Sequence, residues 1–333
     1  MQGRRWHGDC LKEAVEPLAT TFRERLDGAE PPTRILRVGL VNNMPDAALA
    51  PTERQFRSLF QAAAPGPGLD LVLFDMPQVR RDPAIRDQMM GRYRSVEDID
   101  QSGLDALVVT GGDPGQTPLR DSPLWPGFAG LVDRALRLRL PTLWSCLAGH
   151  AAVEYLDGVR RRPLSVKQSG VYPVTPARAD PLLDGLGPSW PVPHSRHNGL
   201  DEAELVASGY EILTRSDGAG VDAFVRRGPP LFLFCQGHLE YDRDSLMREY
   251  KRDFRAYLQG ERQSLPSLPH QAMPADLAGK LAHLAKRALD SRTPELMADW
   301  PPRAALGEEP PEWRPFAVGL YSNWLRALAG PAA

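Results

Sequence analysis

Four short, nearly continuous apolar runs punctuate the first half of this chain: RILRVGLVN (34–42), LDLVLFD (69–75), LDALVVTGG (104–112) and PTLWS (141–145). Strands that lack polar alternation suit a sheet covered on both faces. Helical patterns lie between them. In APTERQFRSLFQAAA, Thr52 sits where an N-cap belongs, with Gln55 three residues on. GFAGLVDRALRLRL (127–140) is amphipathic. Strands alternating with helices predict an α/β fold with a mostly parallel sheet flanked by helices.

The second half is less regular. VYPVTPARADPLLDGLGPSWPVPHSRHNGL is proline-rich and reads as short strands mixed with ordered loop. YEILTRS, VDAFVRR and LFLFCQGHLEYD read as three strands of a meander at the sheet edge. Leu246, Tyr250, Phe254 and Leu258 recur every four residues and predict a helix, with Gly260 at its C-terminal end. Two more helical segments follow, near 274–289 and 316–329. Residues 1–33 read as an N-terminal extension, 34–260 as a catalytic α/β domain, and 261–333 as a helical segment packed on it.

Composition removes several classes of function. The 333 residues carry a net charge of -2, so nothing electrostatic favours nucleic acid or an anionic membrane. No stretch approaches the roughly 20 apolar residues of a membrane span. Three cysteines, Cys10, Cys146 and Cys235, make no disulfide framework, and the N-terminus lacks the apolar run of a signal peptide. The expected location is the cytoplasm.

Cys146 follows a strand and opens LAGHAAVEYL, a helix-favouring stretch. It is either a small buried thiol or a nucleophile on a strand-to-helix elbow. In the second case the helix N-terminus stabilises a thiolate, and its N–H groups can hold an oxyanion. FCQGHLEYD supplies a partner set: His238 and Glu240, two apart at a strand end, would share a face, with Glu240 orienting the imidazole. His150, one helical turn from Cys146, is a second candidate base. His194 and His197 in PHSRHNG lack an accompanying ligand pattern, so no metal is expected.

VNNMPDAALAPTERQF, DALVVTGGDPG, CLAGHAA, VKQSGVY, PHSRH and GHLEYDRDSLMREYKRD, in this order, resemble the homoserine O-succinyltransferase family. The resemblance implies a class I glutamine-amidotransferase-like (flavodoxin-like) fold and a homodimer. It implies succinyl transfer from succinyl-CoA to L-homoserine in methionine biosynthesis, with no further cofactor. It matches Cys146 to the acylated nucleophile, His238 to the proton acceptor and Glu240 to the third catalytic residue. Lys167, Ser195 and Arg252 match substrate-binding positions. Gly115 falls where the family separates succinyl from acetyl donors; a missing side chain there leaves volume and keeps a negative charge away from the succinyl carboxylate. Leu147 and Leu239 replace the family's usual tryptophan and proline. The backbone N–H groups of Leu147 and of the Gly111–Gly112 turn, Gly112 in particular, are the expected oxyanion hole. Open alternatives are L-serine as acceptor, acetyl-CoA as donor, a glutaminase of the amidotransferase type, and a non-catalytic protein on the same fold.

Overall fold

The computed structural model describes residues 35–64, 68–112 and 118–328. The N-terminal extension with Cys10, and Gly115, lie outside the described residues. One ten-stranded sheet runs in the order β3-β2-β1-β4-β5-β10-β9-β8-β6-β7. The apolar runs become β1 (Leu36–Val41), β2 (Leu69–Asp75), β4 (Ala106–Val109) and β5 (Thr142–Ser145). With β3 (Tyr93–Ser95) and β10 (Phe232–Cys235) they form the parallel part. Antiparallel pairing continues it through β9 (Gly220–Arg226) and β8 (Glu211–Ser216) to β6 (Arg162–Pro176) and β7 (Trp190–Gly199).

Period-two alternation feeds two cores. On β4, Ala106 and Val108 join one cluster while Leu107 and Val109 join the other. The first is covered by α1 (Asp46–Ala63) and α8 (Arg314–Leu328), where Phe60 meets Tyr321 edge-on at 5.4 Å. The second is covered by α3 (Trp125–Arg137) and α4 (Leu147–Asp157). Both faces carry a buried apolar cluster, as the nearly continuous apolar strands require. Two short helices, α2 (Pro83–Met89) and α5 (Glu202–Ala207), lie in connections. A third cluster joins α6 (Ser245–Leu258) to α7 (Ala275–Asp290) through Tyr250, Phe254, Leu277 and Leu281.

Three local expectations are corrected. Helix α1 starts at Asp46, not at Thr52, which lies inside it with Pro51. Tertiary contacts set the earlier start: the Asp46 carboxylate accepts from the Asp82 N–H at 2.8 Å and pairs with the buried Arg81 at 3.2 Å. The acid also sits at the favourable end of the helix dipole. The proline-rich stretch does mix strand with loop, but its strands are neither short nor separate. It contributes most of a long antiparallel ribbon, β6 with β7, whose residues from Gln168↔Arg196 to Val174↔Trp190 are in continuous register. The three-strand meander exists, but its last strand β10 lies beside β5 in the middle of the sheet, because β6 and β7 extend the sheet beyond β8.

Candidate active site

Strand β5 is buried at every position and ends at Ser145. Cys146 then turns the chain with φ 50° and ψ -114°, a left-handed value that costs a non-glycine residue roughly 1–3 kcal/mol. That cost is offset by the fit around it. The Cys146 N–H donates to the Cys235 carbonyl at 2.7 Å, tying the exits of β5 and β10 together. Ala148, Ala151 and Ala152 are fully buried, so α4 seats tightly against the sheet. Cys146 itself is a free thiol, partly exposed.

Leu147 is the first helical residue, and its N–H therefore has no partner within the helix. A Cβ placed on Gly111 would stand 3.4 Å from the Leu147 nitrogen. The glycine turn after β4 thus runs directly past the helix N-terminus. Gly112 instead backs onto the Asn43 carbonyl, 3.1 Å from where its Cβ would be.

His238 and Glu240 do meet, though not through the pleat of a strand. Strand β10 stops at Cys235, and the two residues lie in the turn that follows. The Tyr241 N–H donates to the His238 carbonyl at 3.1 Å, folding the chain back so that His238 Nδ1 sits 2.8 Å from Glu240 Oε1. The Cys146 side chain lies close enough to the imidazole to favour its charged form. Two backbone bonds hold the loop: His238 N–H to the Pro193 carbonyl at 2.7 Å and Gln236 N–H to the Asp222 carbonyl at 2.8 Å. Burial pushes the imidazole towards its neutral form, but the Glu240 carboxylate and the Cys146 sulfur outweigh it and raise its pKa well above the usual histidine value. An imidazole oriented by a carboxylate beside a thiol is the geometry in which a base can serve a sulfur nucleophile.

His150 does not take this part. Its Nε2 is 3.0 Å from Gln236 Oε1, and burial lowers its pKa to about 4, so it stays neutral. His194 is fully buried with Nε2 3.3 Å from Asp222 Oδ1, and no group of three potential metal ligands occurs among the described residues.

Lys167 on β6, Ser195 on β7 and Arg252 on α6 converge through two carboxylates. Glu249 accepts from the Ser195 hydroxyl, from the Tyr241 hydroxyl at 2.6 Å and from Lys167 Nζ at 3.4 Å. Asp253 accepts from Lys167 at 3.0 Å and from Arg252 Nε and Nη2 at 2.9 and 2.8 Å. Burial works to raise both carboxylate pKa values, yet the Lys167 ammonium and its neighbours hold both below the ordinary range. The Arg252 side chain remains 65% exposed, with its guanidinium at the rim. Sequence reading missed Glu249 and Asp253. One signal was present: Glu249 and Asp253 are four apart on a helix, a like-charge spacing that is unfavourable unless a cation lies between them. Arg196, buried and bound to the carbonyls of Asn198 and Ala219, was also missed; it lies within electrostatic range of Cys146.

An elbow cysteine beside a histidine–glutamate pair, at the carboxyl ends of parallel strands, is the arrangement that thiol-based acyl transfer calls for. The homoserine O-succinyltransferase family profile matches residues 19–329, and the chain belongs to that family. It is 46% identical over 330 residues to a homoserine O-succinyltransferase of Methylorubrum extorquens, covering 98% of each chain. A homoserine O-succinyltransferase of Rhodopseudomonas palustris is 42% identical over 296 residues, 89% of each chain. Among solved structures, a glutamine amidotransferase from Thermotoga maritima matches with a TM-score of 0.50 at 12% identity, covering 90% of this chain and 100% of that one. That likeness concerns the fold, which is the class I glutamine-amidotransferase fold expected from the sequence. No described helix is long and apolar enough to cross a membrane.

Proposed function

We propose that this chain transfers the succinyl group of succinyl-CoA to the hydroxyl of L-homoserine, in methionine biosynthesis, through a succinyl-Cys146 intermediate. The observation that carries the reading is the convergence of Cys146, His238 and Glu240 at the elbow, in a chain whose relatives are named for this reaction. Cys146 sulfur attacks the thioester carbonyl, and the tetrahedral oxyanion rests on the Leu147 N–H and the glycine turn at Gly111 and Gly112. The bond to CoA sulfur breaks, and the CoA thiolate takes its proton from His238. Thioester exchanges for thioester, so the acyl group keeps its transfer potential. Homoserine then binds beside Lys167 and Ser195, with its carboxylate towards Arg252, a geometry that a guanidinium can clamp in bidentate fashion. His238 takes the hydroxyl proton as oxygen attacks the acyl carbon. Cys146 leaves as thiolate, and the imidazolium is again held by Glu240.

The reading includes Gly115 as the residue that admits the longer, negatively charged succinyl group. It also includes a cytoplasmic homodimer that needs only succinyl-CoA as co-substrate, with residues 34–260 as the catalytic unit and the C-terminal helices packed on it. Sparse cysteines support the location. The test is a panel of donors and acceptors read by CoA release. Succinyl-CoA with homoserine is expected to be fastest. A preference for acetyl-CoA would remove the Gly115 argument, a preference for L-serine would change the acceptor, and ammonia release from glutamine without CoA would replace the reading altogether.

A further inference from the structure

Tyr241 lies between the two halves of the site and belongs to neither. Its ring stacks on the His238 imidazole, with centroids 4.4 Å apart and planes 15° from parallel. Its hydroxyl donates to Glu249 Oε1 at 2.6 Å. The other oxygen of that carboxylate, Oε2, faces Ser195 and Lys167. One planar group therefore has the base's neighbour on one oxygen and the acceptor-binding residues on the other. The tyrosine is fixed at both backbone atoms: its N–H donates to His238 and its carbonyl accepts from Trp313 Nε1 at 2.9 Å. It is buried, leaving the ring little room to turn independently. Burial and the Glu249 carboxylate keep the phenol firmly protonated, hence a donor.

We propose that Tyr241 is a positioning residue that couples occupancy of the acceptor pocket to the alignment of His238, so that the acyl-enzyme is discharged by the amino-acid alcohol rather than by water. An acceptor seated against Lys167 and Ser195 redirects their bonds to Glu249 Oε2. A rigid carboxylate cannot change its hold on one oxygen without moving the other, and Oε1 carries the phenol. The phenol ring in turn forms one wall of the imidazole. Water, which makes no contact with Lys167 and Ser195 as a pair, does not engage this chain of contacts.

The inference rests on the acyl-cysteine reading, and the experiment separates the two. Wild type and Tyr241→Phe are acylated with succinyl-CoA, freed of CoA, and the decay of the adduct is followed with and without saturating homoserine. If wild type forms no adduct, or its adduct ignores homoserine, the functional reading fails whatever Tyr241 does. If wild type behaves as proposed, Tyr241→Phe keeps the stacked ring and loses only the hydroxyl. Its acylation and its hydrolysis in water should then match wild type, while discharge by homoserine falls about tenfold, the loss of one hydrogen bond to a charged group. The ratio of transfer to hydrolysis is the informative quantity, since a merely structural role would move both rates together. Tyr241→Leu, which also removes the stacking, should slow acylation as well. A Tyr241→Phe enzyme with an unchanged ratio, or with both discharge rates lowered in parallel, would overturn the proposal.

Discussion

Replacing Gly237 by alanine places a methyl group in space that is already filled. The new Cβ would lie 2.3 Å from Val192 Cγ1, 2.7 Å from Asp222 Oδ1 and 3.2 Å from His194 Nε2. None of these can yield easily. Val192 is fully buried and β-branched, so its χ1 is stiff. Asp222 is held through Oδ2 by the Thr214 hydroxyl at 2.8 Å, and His194 is packed edge-on against Tyr172. Ordinary contact begins near 3.4 Å, so the loop at residue 237 must retreat by about 1 Å. His238 is the next residue, and the bonds of Gln236 to Asp222 and of His238 to Pro193 hold it on either side. A displacement of about 1 Å in a catalytic group costs roughly a hundredfold in rate. Overpacking of this kind costs about 1–3 kcal/mol of stability, which a protein of this size survives. The assay is single-turnover acylation by succinyl-CoA together with a denaturation midpoint. A folded Gly237→Ala enzyme that acylates as fast as wild type would refute the claim that this seat places the base.

Two further outcomes follow from the charges. The folded pKa of His238 is raised, so its contribution to stability is complete below the ordinary histidine value and is lost as pH climbs through the raised one. Urea midpoints measured against pH should decline across that window in wild type. In Glu240→Gln the strongest support of the charged imidazole is gone, and burial is opposed by Cys146 and the more distant Glu249, so the decline should shift to lower pH and the alkaline limb of acylation should shift with it; unchanged profiles would contradict the assigned role of Glu240. Lys167→Ala leaves Glu249 and Asp253 buried with less compensation, while Arg252 and Arg262 still reach Asp253. A loss of about 3 kcal/mol is expected by chemical denaturation, together with a raised KM for homoserine and near-normal acylation by succinyl-CoA.

The parallel half of the fold was legible because its strands announce themselves. LRVGLV, LVLF, ALVV and TLWS read as strands covered on both faces; ALVV and TLWS are buried at every position, LRVGLV at all but Arg37 and LVLF at all but Leu71. Strand β6 was not legible. Its first five residues are exposed, it contains Pro163, Pro173 and Pro176, and its strand character comes from pairing with β7, which a local window does not contain. The start of α1 was hidden for the same reason, being set by Arg81 and Asp82, more than thirty residues away in sequence. At the site, Cys146 was visible as a strand-to-helix junction, and His238 with Glu240 as a close pair. Their contact is made by a turn rather than by a strand face, a difference that a two-residue spacing cannot reveal. Lys167, Ser195 and Arg252 were found only through resemblance, since each alone reads as a solvated side chain. Glu249, which holds two of them, was overlooked because on a charged helix it looks like any other surface acid.

The most direct measurement is the mass of the intact protein after brief exposure to succinyl-CoA with no acceptor present. The account predicts one succinyl adduct, located on Cys146 by peptide mapping, absent from Cys146→Ala and released on addition of homoserine. No adduct on wild type under rapid acid quench, or an adduct that survives the loss of Cys146, would contradict it.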